Sequence, residues 1–119
     1  KTNVKQGWAS CPLTQNGCVR IMSQAGYPNA VTTAVVIQRL RSATAHASHG
    51  FWPDDASLLD DAIVDGNQVH GPRQVMDVYL LALAVKHGGR FVTFDESIPI
   101  SAVLRAEKKH LLVLKEVSQ

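Results

Sequence analysis

The sequence predicts an α/β fold with a mainly parallel sheet flanked by helices, and three observations predict it. Short apolar runs such as "GWASC", "RFVTF" and "LLVLKE" lack strict polar alternation, as expected of strands covered on both faces. One strongly apolar, helix-length segment, "RQVMDVYLLALAVKH", lies before the second of these runs. Strand-like and helix-like segments also alternate along the chain, the order that builds parallel sheets.

Each element has a local reason. "GWASC" (7–11) reads as a strand stopped by Pro12, after which Thr14 is placed to cap a helix through "QNGCVRIMSQ", weakened at Gly17. "AGYPNA" is punctuation. A second helix is expected over 30–45, with Val31, Ala34, Val35 and Leu40 inward and Gln38, Arg39 and Arg41 outward. Phe51 and Trp52 suggest a short strand halted by Pro53. "SLLDDAIV" (57–64) reads as one or two helical turns capped by Ser57, with Asp60, Asp61 and Asp65 on a solvated face, and Gln68 to His70 as a brief extended piece.

The main helix covers 73–87. Val75, Tyr79, Leu80, Leu83 and Ala84 form one stripe, which Met76, Leu81, Ala82 and Val85 widen nearly all round, so the helix is expected to be buried on most sides. Lys86 and His87 suit its negative end, and Gly88-Gly89 stop it. "RFVTF" (90–94) follows as a strand, then "ISAVLRAEKKH" (100–110) as an amphipathic helix and "LLVLKE" (111–116) as the last strand.

At 119 residues and 12.9 kDa the chain is expected to form one domain over 1–119. A hydrophobic share of 45% against 18% charged residues is ordinary for a globular domain able to bury a core. The net charge of +2 comes without a basic tract, so it neither demands nor excludes a nucleic-acid partner. The longest greasy stretch, "VYLLALAV", falls far short of the roughly 20 residues that span a bilayer. "KTNVKQGW" carries no apolar signal-peptide core and no initiating Met, so the chain is expected to be a fragment or a processed product. Cys11 and Cys18 have neither metal-ligand nor redox spacing and read as small buried hydrophobes of a protein in the reducing cytoplasm.

The chemistry-bearing residues are acids at element ends. Asp77 lies in the first turns of the buried helix, and Asp95 directly follows the next strand. The N-terminus of a helix and the C-terminus of the following parallel strand lie at the same end of an α/β unit, so both carboxylates are expected at one edge. Two carboxylates brought together repel unless a proton or cation neutralises them, and Mg²⁺ or Mn²⁺ suits hard oxygen donors. The plain structural alternative is that Asp77 complements the helix dipole and Asp95 caps a turn. Thr93 and Ser97 flank Asp95 and offer hydroxyls, but both are also common turn residues. His46 and His49 lie three apart without a ligand partner, and Arg73 either meets phosphate or covers the helix start.

"CPLTQNGCVRIM" together with "HGPRQVMDVYLLALAVKHGGRFVTFDESI" resembles the PIN-domain ribonucleases, specifically the VapC toxins of bacterial toxin–antitoxin modules, from about Trp8 to Leu114. The resemblance implies a PIN-like three-layer α/β/α arrangement that cuts RNA with Mg²⁺ or Mn²⁺ held by clustered acids. It makes Asp77 the acid at the start of the long helix, Asp95 the acid after the following strand, and Thr93 the hydroxyl of the T-x-D element. Two departures stand out. Gln15 occupies the place of a Glu in similar "TENG" versions, which withholds a negative charge from the metal. The acid-bearing first strand and following helical region of the family have no counterpart here, so the N-terminus is expected to be incomplete and this stretch alone to be a poor nuclease.

The leading expectation is therefore a metal-dependent endoribonuclease toxin, with Arg20 and Arg73 as RNA contacts and a folded RNA such as transfer RNA as substrate. By resemblance, such a toxin pairs with a cognate antitoxin and forms a homodimer. The alternative is a catalytically impaired PIN-like binding module that pairs with an antitoxin or with itself. A receiver-like phosphoacceptor domain also uses acids at strand ends, but no suitably placed Lys follows a late strand.

Overall fold

The computed structural model describes residues 7–93 and 95–114, and the chain divides into two compact units, one ending at Asp54 and one beginning at Asp55. The α/β class with parallel strands is borne out. Each unit contains one pair of parallel strands.

In the first unit, β1 (Trp8–Ser10) pairs in parallel with β2 (His49–Phe51), matching Trp8 to His49 and Ser10 to Phe51. Between them run α1 (Pro12–Met22) and α2 (Thr33–Thr44), which pack on each other. Helix α1 begins earlier than Thr14. Cys11 is its extended N-cap and Pro12 opens the first turn, where a fixed φ and a missing N–H cost nothing. Thr14 works one turn in, its Oγ1 accepting the Cys11 N–H at 3.0 Å. Helix α2 is capped by Thr32, whose Oγ1 accepts from the Val35 N–H. Its buried residue is Val36, while Ala34, expected inward, is exposed. Val31, Val35 and Leu40, also expected inward, are half-buried.

In the second unit, β3 (Phe91–Thr93) pairs in parallel with β4 (Leu111–Val113), Phe91 against Leu111 and Thr93 against Val113. Phe94 and residues 115–116, expected in these strands, lie outside the described residues. Helix α3 (Val75–Lys86) precedes β3, entered through a 3-10 turn at Pro72–Gln74. Val78, Leu81, Ala82, Leu83 and Ala84 are buried, while Val75 and Met76 at its start are exposed. Val78, Leu81 and Ala82 form a core with Val64, Ile98, Ala102 and Val103. Burying a side chain like Leu81 contributes about 2 kcal/mol. Gly88, at φ 68, ends the helix in the left-handed conformation that Gly adopts without strain.

Two predicted helices are absent. Residues 57–64 form hydrogen-bonded turns, with the Asp60 carboxylate accepting from the Ala62 N–H and the Ser57 hydroxyl oxygen from the Leu59 N–H. Residues 100–110 contain 3-10 turns at Ile100–Ala102 and Lys108–His110. Both segments use their backbones on each other. Val64 bridges Val103, the Leu104 N–H reaches the Ile63 carbonyl at 2.8 Å, and the Asp65 N–H reaches the Ala102 carbonyl at 2.8 Å. Arg105, left-handed at φ 71, is incompatible with a helix through this stretch. Of the extended piece expected at Gln68 to His70, Gln68 instead closes a 3-10 turn, Gly66–Gln68, capped by Asp65, and the extended backbone begins at Val69.

Candidate active site

Asp77 lies in the first turn of α3, and Asp95 follows β3 by two residues. Helix, glycine turn and strand bring the chain back so that the two carboxyls meet and share a hydrogen bond. Burial, then the charge of Asp95, then that shared hydrogen bond push the Asp77 carboxyl above the ordinary aspartate range. Asp95 moves the other way. The Ser97 hydroxyl and backbone N–H hold it below that range, against some desolvation, with a smaller contribution from Asp77. Of the two, Asp77 therefore holds a proton more tightly than Asp95 does.

The neighbours fix Asp95 rather than Asp77. The Ser97 N–H and Oγ–H both donate to Asp95 Oδ1, at 2.8 and 2.6 Å. Thr93 Oγ1 accepts the Asp95 N–H at 3.1 Å. Gln74, in the 3-10 turn before α3, donates from Nε2 to the Ser97 carbonyl at 3.1 Å and accepts the His70 N–H at Oε1 at 2.9 Å.

Two adjoining carboxylates are a donor set a hard dication can take over. Mg²⁺ commonly binds through only one or two carboxylates and keeps several waters. Asp77 and Asp95 fit that habit. Among the described residues, no group of three or more His, Cys, Asp or Glu gathers as a metal site.

Comparison with known proteins gives this arrangement a context. The chain is 50% identical over 111 residues to Ribonuclease VapC44 of Mycobacterium tuberculosis, spanning 93% of this chain and 78% of the relative. The chain belongs to the VapC ribonucleases. Ribonuclease VapC39 of the same organism is 43% identical over 97 residues, covering 81% of this chain and 70% of its own length. Ribonuclease VapC38 is 41% identical over 97 residues, covering 81% and 67%. No family model matches the chain, and no solved structure matches it. VapC membership implies a PIN-like fold, in agreement with the parallel strands and helices seen here.

The other predicted site residues of this VapC chain divide between the units. Thr93 stands with Asp77 and Asp95 in the second. Gln15 belongs to α1 in the first, where its Nε2 donates to Ser10 Oγ at 2.9 Å, and that oxygen lies 2.7 Å from His49 Nε2. The His49 ring in turn packs on Trp8, centroids 4.4 Å apart. Arg20, in the last turn of α1, and Arg73, in the turn before α3, are exposed. No helix among the described residues is long and apolar enough to cross a membrane. Sequence reasoning missed Gln74 and the link from Ser10 to His49. Both join residues far apart in the chain, and no local motif marks either.

Proposed function

We propose that this VapC ribonuclease is a metal-dependent endoribonuclease toxin whose centre includes Asp77 and Asp95. The observation that carries the reading is the approach of two carboxyls, delivered by a helix start and a strand end, close enough to act on each other. Asp77 and Asp95 would hold Mg²⁺ or Mn²⁺ directly or through its waters. Such an ion, when bound, lowers the pKa of water and offsets charge building on a phosphate. The residues themselves bind and orient: Ser97 fixes Asp95 Oδ1, Thr93 fixes the Asp95 backbone, and Asp77 would offer the second carboxyl from the start of α3. Hydrolysis then joins a water oxygen to phosphorus and breaks the bond to one ribose oxygen. Exposed Arg20 and Arg73 suit contacts with the RNA backbone.

Residues 1–119 act in this reading as a single PIN-like domain of a cytoplasmic protein, a homodimer restrained by a cognate antitoxin. One observation favours a second reading, a binding module that pairs without cutting: position 15 is an amide already engaged with Ser10. Asp95→Asn separates the two. Mg²⁺-dependent cleavage of a transfer-RNA mixture that disappears in the variant supports the nuclease; undiminished cutting by the variant overturns the assignment. Specific Mn²⁺ binding, measured by calorimetry, should accompany activity and be missing from an inert module.

A further inference from the structure

We infer that Gln74 is a positioning residue for the acidic centre, setting where the Asp95 carboxylate sits relative to Asp77. The inference rests on the nuclease reading above. Gln74 is the N-cap residue of α3, the helix that carries Asp77 in its first turn. Its amide ties together two segments that lie more than 20 residues apart in the chain. Oε1 takes the His70 N–H at 2.9 Å, and Nε2 gives a hydrogen bond to the Ser97 carbonyl at 3.1 Å. An N–H on one side and a C=O on the other admit one orientation of the carboxamide, so neither contact can be exchanged for the other. Ser97 passes the restraint on through its own N–H and hydroxyl, both on Asp95 Oδ1.

The consequence is geometric. Asp77 rides on a helix held by its buried body, whereas Asp95 stands on an exposed turn after a three-residue strand. Residues 95–97 are exposed before Ile98 enters the core, so polar ties add to that anchor in setting the distance of Asp95 from Asp77. The Gln74 amide is one such tie, running from the start of the Asp77 helix to the Asp95 turn. Gln74 touches neither carboxylate and acts through Ser97.

The test uses the full chain, with Mn²⁺ alone for calorimetric binding and a transfer-RNA mixture for cleavage. Gln74→Met keeps the length and loses both hydrogen bonds; Gln74→Asn keeps an amide but is one methylene too short to span both partners. Each variant is expected to bind Mn²⁺ about 10-fold more weakly and to lose about 10-fold or more in kcat. KM for RNA should stay within about threefold and the thermal midpoint should be retained, a split that a purely structural role would not produce. Wild-type Mn²⁺ affinity and kcat in either folded variant overturn the role of Gln74 while leaving the nuclease reading intact. A parent chain that neither binds Mn²⁺ nor cleaves, or an Asp95→Asn chain that does both, overturns the centre itself and the role of Gln74 with it.

Discussion

Ser97 grips a single oxygen of Asp95 twice, its hydroxyl at 2.6 Å and its backbone N–H at 2.8 Å from Oδ1. This double contact is the largest reason that the Asp95 carboxyl lies below the ordinary aspartate range. Ser97→Ala removes the shorter contact and leaves the other. The Asp95 carboxyl should then titrate closer to an ordinary aspartate, as read by carboxyl carbon NMR. RNA cleavage should fall about 10-fold, the usual scale for an outer partner of a ligating group. An unchanged Asp95 titration would show that the hydroxyl contact contributes nothing.

Asp77 makes stability depend on pH in the opposite sense to a carboxylate held by a cation or by donated hydrogen bonds. Its folded carboxyl lies above its unfolded value because of burial and the charge of Asp95. The folded chain therefore holds that proton more tightly than the unfolded chain does. The stability tied to it is complete below the unfolded carboxylate range, about pH 4, and is lost as pH rises through the raised value. In chelator-treated protein, Asp77→Asn should melt above the parent at neutral pH, and the two midpoints should converge in acid. Equal midpoints at neutral pH would show the carboxyls to be uncoupled.

Asp55 has the reverse sign. His87 Nε2 lies 2.9 Å from its Oδ1, and Lys86 Nζ 3.6 Å from Oδ2. The His87 hydrogen bond first, then the charges of His87 and Lys86, lower this carboxyl despite some desolvation. The contribution is present above the unfolded value and disappears as pH falls through the lowered one. Asp55→Asn should therefore lower the midpoint slightly at pH 6 and not at all in strong acid. A deficit that persists in acid would assign the effect to something other than charge.

Leu81 is fully buried at the centre of the second unit. Leu81→Ala should cost roughly 2 to 5 kcal/mol by removing apolar contact and leaving a cavity. The urea midpoint should drop with little change in slope, since the same surface is exposed on unfolding.

The elements legible in the sequence were those whose pattern and stop signals agree. Helix α3 is apolar enough to be unmistakable and ends at Gly88-Gly89, and β3 follows at once, so a common edge for Asp77 and Asp95 was readable from order, though not their contact. The failures were at 57–64 and 100–110. Both carry helix-like spacing, yet their N–H and carbonyl groups are taken by each other across the fold, as in the Leu104 to Ile63 bond. That competition is tertiary and has no local signature. Thr14 misled for a smaller reason: threonine is a good cap, but Pro12 is a better first residue and moved the start forward. The amide of Gln74 was invisible because its partner, Ser97, lies 23 residues away.

The buried body of α3 also constrains how this protein can vary. Each residue added or deleted inside the helix would turn everything on one side of the change by about 100°. Leu81 through Ala84 are anchored, so the rotation would fall on Asp77 and carry its carboxyl away from Asp95. Length changes between Asp77 and Leu81 should therefore be poorly tolerated, whereas the exposed turns at 24–30 have no such anchor to rotate.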